Sequence, residues 1–186
     1  MAAIAATATF TPVGAEVQPG TSGLLETVAD NGILVTYNHP DCKTNGANGQ
    51  YRWIGFQREI RLCPGATVDA GDHNTVRHEV VHAIQHCVNV ARGTDTDTPI
   101  INDPYEFKEF VEAHLTPEYV ELIMSLYPES QWLTELEAFA GAEAFTASEL
   151  EQMFLEACTA STDIWSVMTT LSVRSVLHIN EDNCTE

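Results

Sequence analysis

Positive charge is what this sequence has least of: 8 Lys and Arg stand against 27 Asp and Glu in 186 residues, a net charge of −19. Binding to nucleic acid needs clustered cations to neutralise phosphates, so no nucleic-acid partner is expected. The shortage is uneven. Residues 1–92 carry 6 basic and 8 acidic side chains, whereas residues 93–186 carry only Lys108 and Arg174 against 19 acidic ones. Such a surface reads first as a well-solvated exterior and second as a preference for cationic peptides or a basic partner protein. Long apolar runs are missing too. No stretch approaches the roughly 20 residues needed to span a bilayer, so a soluble chain without a membrane partner is expected. The Ala/Thr-rich start through Phe10 has no basic residue ahead of it, so no signal peptide is expected. No C-x-x-C pair occurs among Cys42, Cys63, Cys87, Cys158 and Cys184, which excludes a zinc ribbon and a thioredoxin-like motif. An odd cysteine count leaves at least one thiol over, and Cys63 and Cys87 are expected to be neighbours, as a disulfide or as packed thiols.

What is present is Arg77-His78-Glu79-Val80-Val81-His82-Ala83-Ile84-Gln85-His86, an H-E-x-x-H core inside apolar residues at helical spacing. On an α-helix, i and i+4 share a face with Cβ atoms about 5–6 Å apart, so the imidazoles of His78 and His82 can converge on one ion. Zinc suits two neutral imidazoles, and a catalytic zinc site takes a third protein ligand and keeps one position open. Glu79 is placed to act on a water at that position as general base. With 7 His and 18 Glu in the chain, chance supplies about 0.025 such matches, so the motif is informative but needs its context.

The length suits one domain, taken as residues 21–186 after an irregular arm at residues 1–20. Ser22 can cap a short helix through Leu24, Leu25 and Val28 that Asn31-Gly32 closes, and Ile33–Tyr37 then forms a strand. Asn38 to Gln50 is turn-rich; His39, Asp41 and Cys42 have ligand chemistry but no ligand spacing, so a solvated loop is the better reading. Tyr51 to Leu62 alternates, with Ile54, Phe56, Ile60 and Leu62 on one face and Tyr51, Trp53, Glu59 and Arg61 on the other. It is one long strand or a hairpin broken near Gly55. Asp72, Asn74 and Thr75 offer caps for the motif helix, expected to reach about Val90 before Arg92-Gly93. Helices follow at Tyr105–Leu115, from Thr116-Pro117 to Leu126, at about Gln131–Phe145, at Ser148–Ala157, and from Asp163 to Val176. Strands first and helices after indicates an α+β fold, with a small antiparallel or mixed sheet packed on the motif helix.

A third ligand must come from elsewhere. His86 is i+8 from His78, about 12 Å along the helix axis, so it reads as a packed residue or one supporting a ligand. The glycine turn and third His of metzincins are absent. The motif, followed after helical sequence by Glu-x-x-Ala, resembles the gluzincin branch of zinc metallopeptidases, whose third ligand is a Glu on a second helix. Two registers fit: Glu135-Leu136-Glu137-Ala138 and Glu137-Ala138-Phe139-Ala140. Trp132-Leu133-Thr134-Glu135 also resembles the Trp-Leu-x-Glu of gluzincin aminopeptidases, which favours Glu135, with Glu137 as runner-up and Glu143 behind both. The pattern's frequent Asp or Asn four residues after the ligand is lacking, since Phe139 or Gly141 stands there. Glu135 and Glu137 lie about 200° apart on the helix, so one is expected to point inward while the other meets water.

The resemblance implies a zinc-dependent metallopeptidase acting on a peptide or protein substrate, with Glu79 as general base. It also implies that the strand before the motif helix, here Phe56 to Leu62, forms the cleft's edge and pairs with an extended substrate. The oxyanion donor is left open among Tyr105, His114, Tyr119, Tyr127 and His178. The rival expectation is a non-catalytic zinc module using the same three ligands, for which a carboxylate beside the first His would have no use.

Overall fold

The computed structural model describes residues 21–40, 48–63, 73–94 and 98–159. The N-terminal arm, Asp41 and Cys42 of the turn-rich loop, Asp72, and the expected helix over Asp163–Val176 with His178 lie outside them. The described residues form an α+β arrangement. Helix α1 (Thr21–Asp30) leads into strands β1 (Ile33–Tyr37), β2 (Gly49–Ile54) and β3 (Gln57–Leu62), followed by helices α2 (His73–Arg92), α3 (Pro104–His114), α4 (Pro117–Leu126), α5 (Trp132–Ala144) and α6 (Ala147–Thr159).

The sheet is mixed, in the order β1-β3-β2. β3 lies in the middle, parallel to β1 with Ile33 opposite Arg58, and antiparallel to β2 with Ile54 opposite Gln57. The alternating stretch is therefore a hairpin. Gly55 takes φ +62 at the first turn position while Phe56 does not enter the positive-φ region, the pattern of a type II′ turn. A two-residue turn reverses the parity of the alternation, because residues directly opposite each other share a face. Tyr51 pairs with Ile60 and Gly49 with Leu62, whereas Ile54 lies on the face of Glu59 and Arg61. The face expected from a straight strand is thus corrected: Ile60 and Leu62 are buried, while Ile54 is exposed and Phe56 stands at the hairpin tip in solvent. Glu59 and Arg61 are nevertheless covered, and they are paired: the Glu59 carboxylate accepts from Arg61 Nε at 2.8 Å and from Thr36 Oγ1 at 2.7 Å.

β3 is consequently no edge. Among the described residues β1 and β2 are the outer strands, and of the two it is β2 that lines the cleft, which corrects the expected cleft edge from Phe56–Leu62 to Gly49–Ile54.

Helix α2 runs through the middle of the core. Val76, Val80, Ala83 and Ile84 are buried against Leu24, Leu25 and Val28 of α1, Ile33, Ile60 and Leu62 of the sheet, and Leu150 and Phe154 of α6. Burying one such Leu, Ile or Phe side chain contributes about 1.5–3 kcal/mol, so this packing fixes where α2 presents its polar face. A second cluster joins Phe110, Val111, Leu115 and Ile123 of the α3–α4 region to Leu136 and Ala140 of α5. Asp103 caps α3 by accepting from the Tyr105 and Glu106 amides, and Thr116 caps α4 by accepting from Tyr119 N–H.

Cys87 is bonded to Cys158, joining α2 to α6. Cys63 is itself disulfide-bonded but not to Cys87, so the expected Cys63–Cys87 disulfide or pair of packed thiols is corrected, although β3 and α2 are neighbours as expected, with Arg58 Nη1 3.2 Å from Cys87 Sγ. The reason is packing: α6 returns along α2 after 71 residues, a closure that local sequence does not announce. Among the described residues no helix is long and apolar enough to cross a membrane.

Candidate metal centre

Because its apolar face is fixed by the core, α2 turns His78, Glu79, His82 and Gln85 toward a cleft of about 430 Å³. β2 forms one wall with Gly49, Tyr51 and Trp53, and the other wall carries Tyr127, Gln131, Thr134 and Glu135. Close packing of α5 on α2 brings Glu135 there. Ala138 is fully buried, and a Cβ on Gly141 would come within 3.1 Å of Val81, so only small residues permit this approach.

His78, His82 and Glu135 form a group able to hold a metal ion. The two Nε2 atoms are 3.1 Å apart, and Glu135 Oε2 lies 3.3 Å from that of His78 and 3.5 Å from that of His82. Tetrahedral coordination at about 2.0–2.1 Å sets ligand atoms about 3.3 Å apart, so the three donors have the spacing of one face of such a shell. Glu135 Oε2 is buried without a hydrogen-bond partner, an expensive arrangement for a carboxylate oxygen unless a cation is its counterpart. Two nitrogens and one oxygen are the donor set of a catalytic zinc site.

The electrostatics fit the same geometry. Burial opposes ionisation of Glu135, yet the imidazoles beside it hold its carboxyl down to about 2. Burial also lowers the basicity of both histidines. In His78 it prevails together with the neighbouring His82, taking the pKa to about 4; in His82 the Glu135 carboxylate outweighs it and raises the pKa to about 9. Glu79 is pushed up to about 7, first by burial and further by the Glu135 charge, against the opposing pull of His82 and a hydrogen bond from Tyr51 N–H.

The runner-up Glu137 is not beside the histidines. Its carboxylate accepts from Gln85 Nε2 at 2.8 Å and from the amides of Ile100 and Ile101 at 2.7 and 2.8 Å. It is only 4 % exposed, so the expectation that one of the two acids meets water is corrected: the segment ahead of α3 covers that face of α5 and supplies two N–H donors. Burial raises the Glu137 pKa against the pull of these bonds. Glu143 instead accepts from Asn74 Nδ2. His86 lines the same cleft but is not part of the converging donor group; it is buried with its ring edge-on to Tyr51 and Trp53.

Of the proposed oxyanion donors, Tyr127 lines the cleft and hydrogen-bonds Glu135. The Trp132 indole pins the α4–α5 corner that carries it, donating to the carbonyls of Met124 at 3.0 Å and Tyr127 at 2.9 Å. Tyr105 is 79 % exposed, His114 Nδ1 is bound to Phe110 O at 2.9 Å, and the Tyr119 ring packs on Phe139. Two contributors escape a reading of the sequence. Gly49 sits in an Asn-Gly dipeptide that reads as a turn. Gln85 falls three residues after His82 and seven after His78, a spacing that does place it on the ligand face.

Comparison with known proteins finds no match: no family model, curated protein or solved structure resembles the chain.

Proposed function

We propose that this chain is a zinc-dependent metallopeptidase of gluzincin type, with His78, His82 and Glu135 as metal ligands and Glu79 as general base. The observation that carries the reading is the convergence of Glu135 Oε2 on both imidazoles at 3.3 and 3.5 Å, with a buried carboxylate one residue from the first histidine. Zinc, when bound, would polarise the scissile carbonyl and acidify water at its open position. The chain's own residues perform the rest. A carboxyl with a pKa near 7 can both take a proton from water and return it, so Glu79 would pass it to the amine nitrogen of the leaving group. The Tyr51 amide orients Glu79 from the β2 side. The Tyr127 hydroxyl, on the opposite wall, gives its one proton to Glu135 and would steady negative charge on the carbonyl oxygen by turning from that carboxylate to the substrate.

β2 suits an extended peptide. Cys63 N donates to Asn48 O at 2.8 Å, which makes that pair a hydrogen-bonded one; Gly49, Tyr51 and Trp53 then occupy the alternate pairs and turn their peptide groups to the open edge. Tyr51 spends its N–H on Glu79, and the peptide groups of Gly49 and Trp53 would bind substrate backbone. The acidic balance of residues 93–186, which supply one cleft wall, favours a basic peptide.

The test is metal analysis and turnover on the same preparations. Zinc-replete expression should yield close to one zinc per chain, lost in His78→Ala and His82→Ala. Glu79→Gln should keep zinc and lose hydrolysis of a mixed-peptide substrate. A zinc-free wild type would end the reading, and unchanged turnover in Glu79→Gln would remove Glu79 from its role.

A further inference from the structure

Resting on the metal reading above, we infer that Glu137 and Gln85 form a positioning relay that sets the tautomer of His82 and aims its Nε2 lone pair at the metal. The acid that gluzincin-like sequences often carry four residues after the ligand Glu is absent, and Phe139 packs its ring against His78 instead, centroids 4.1 Å apart. Support for a histidine ligand comes from another direction.

The hydrogen bonds of this relay run one way. The Ile100 and Ile101 amides can only donate, so the Glu137 carboxylate accepts, at 2.7 and 2.8 Å. Glu137 Oε2 and the Thr134 carbonyl can in turn only accept from Gln85, at 2.8 and 3.0 Å, so the Gln85 NH₂ group must face them. That leaves Gln85 Oε1 turned to His82 Nδ1, 2.8 Å away. An amide oxygen accepts, so Nδ1 carries a proton, and the neutral ring that a metal requires then presents its Nε2 lone pair beside His78 Nε2 and Glu135 Oε2. The amide orientation of a glutamine is ordinarily ambiguous, but two acceptors on one side decide it here. His78 has no such brace: its Nδ1 is buried without a hydrogen-bond partner.

The relay is anchored by α2 itself. Asn89 Nδ2 donates to Thr98 O at 2.6 Å and Arg92 Nη1 to Ile100 O at 2.8 Å, so one helix holds both the histidine and the segment whose amides fix Glu137. Gln85, 1 % exposed, and Glu137 are positioning residues: neither touches the metal or the substrate cleft's reacting atoms.

The experiment is competition of purified protein with a chromophoric chelator for zinc, together with the visible spectrum of the cobalt-loaded form. Gln85→Met keeps the side chain's length and removes all three of its hydrogen bonds; Glu137→Gln breaks the far end and serves if Gln85→Met does not fold. Removing such support weakens metal affinity by about 10–100-fold, and that loss is expected in each variant, with a shifted cobalt spectrum. A variant that loses thermal stability while zinc affinity and cobalt spectrum match wild type would make the network purely structural and overturn the relay, leaving the metal reading intact. A wild type that takes up neither metal would overturn both. Loss of stoichiometric zinc in Glu137→Ala with retention in Glu135→Ala would make Glu137 a ligand and likewise end the relay.

Discussion

Gly49 and Glu79 are so close that a Cβ on Gly49 would stand 2.6 Å from Glu79 Oε1 and 2.9 Å from its Cγ. Thr75 Cγ2 would be met at 2.6 Å as well, so the newcomer is boxed in by α2. Gly49→Ala must displace either β2 or the carboxylate. Since a 1 Å misplacement of a reacting group can cost about 10²-fold, turnover should fall by that order while zinc content, set by other residues, stays near one. Undiminished kcat in this variant would mean that Glu79 does not act from this position.

Tyr127→Phe tests the opposite wall. Removing a single oxyanion donor costs about 10²–10³ in kcat, with zinc retained and KM little changed. Loss confined to KM would make the hydroxyl a substrate-binding group instead.

The Cys87–Cys158 bond closes 71 residues between α2 and α6. In the chain-entropy account such a loop contributes about 4 kcal/mol by restricting the unfolded chain. That is a large share of the roughly 5–15 kcal/mol available to a domain. The double substitution Cys87→Ala and Cys158→Ala should therefore lower the urea midpoint sharply, and reductant should lower that of the wild type. Equal midpoints with and without reductant would contradict this.

Helix α6 begins in a capping box. Thr146 N and Oγ1 both donate to Glu149 Oε2 at 2.8 Å, and Glu149 N reaches Thr146 Oγ1 at 3.3 Å. These bonds hold the Glu149 carboxyl below the usual carboxylate range. A depressed folded-state pKa means stability that is fully present above the unfolded value and is lost as pH falls through the folded one. Thr146→Ala should cost about 1 kcal/mol at neutral pH. The gap from wild type should narrow in acid, once Glu149 is protonated, and urea melts across pH 2–7 would reveal it; a gap that widens in acid would refute the box.

Much of this was legible from local chemistry. The motif helix, the stops at Gly32 and Gly93 with φ of +83 and +67, and the cap at Thr116 depend on neighbours within a few residues, which is why pattern reading reaches them. Glu135 lies beside the two histidines and Glu137 does not, for a tertiary reason: Ala138 and Gly141 let α5 close on α2, and the Ile100 and Ile101 amides capture Glu137. Hairpin parity was not legible, because alternation continues unbroken across Gly55 whether or not the chain reverses there. The Cys158 partner and the place of Gly49 beside Glu79 were hidden by distance in sequence, 71 and 30 residues respectively.

The open side of β2 has a colloidal consequence. Trp53 and Ile54 are 50 % and 60 % exposed next to the solvent-borne Phe56, and among the described residues no strand pairs with that side. Bare strand edges flanked by apolar side chains are templates for addition of another copy, which proteins commonly resist with charge. Here the guard is a long-range one, the net −19 of the whole chain. Screening shortens its reach from about 10 Å at 0.1 M salt to about 3 Å at 1 M. Copies that repel one another in dilute buffer should therefore begin to associate edge to edge as ionic strength rises, and an occupied cleft should protect them.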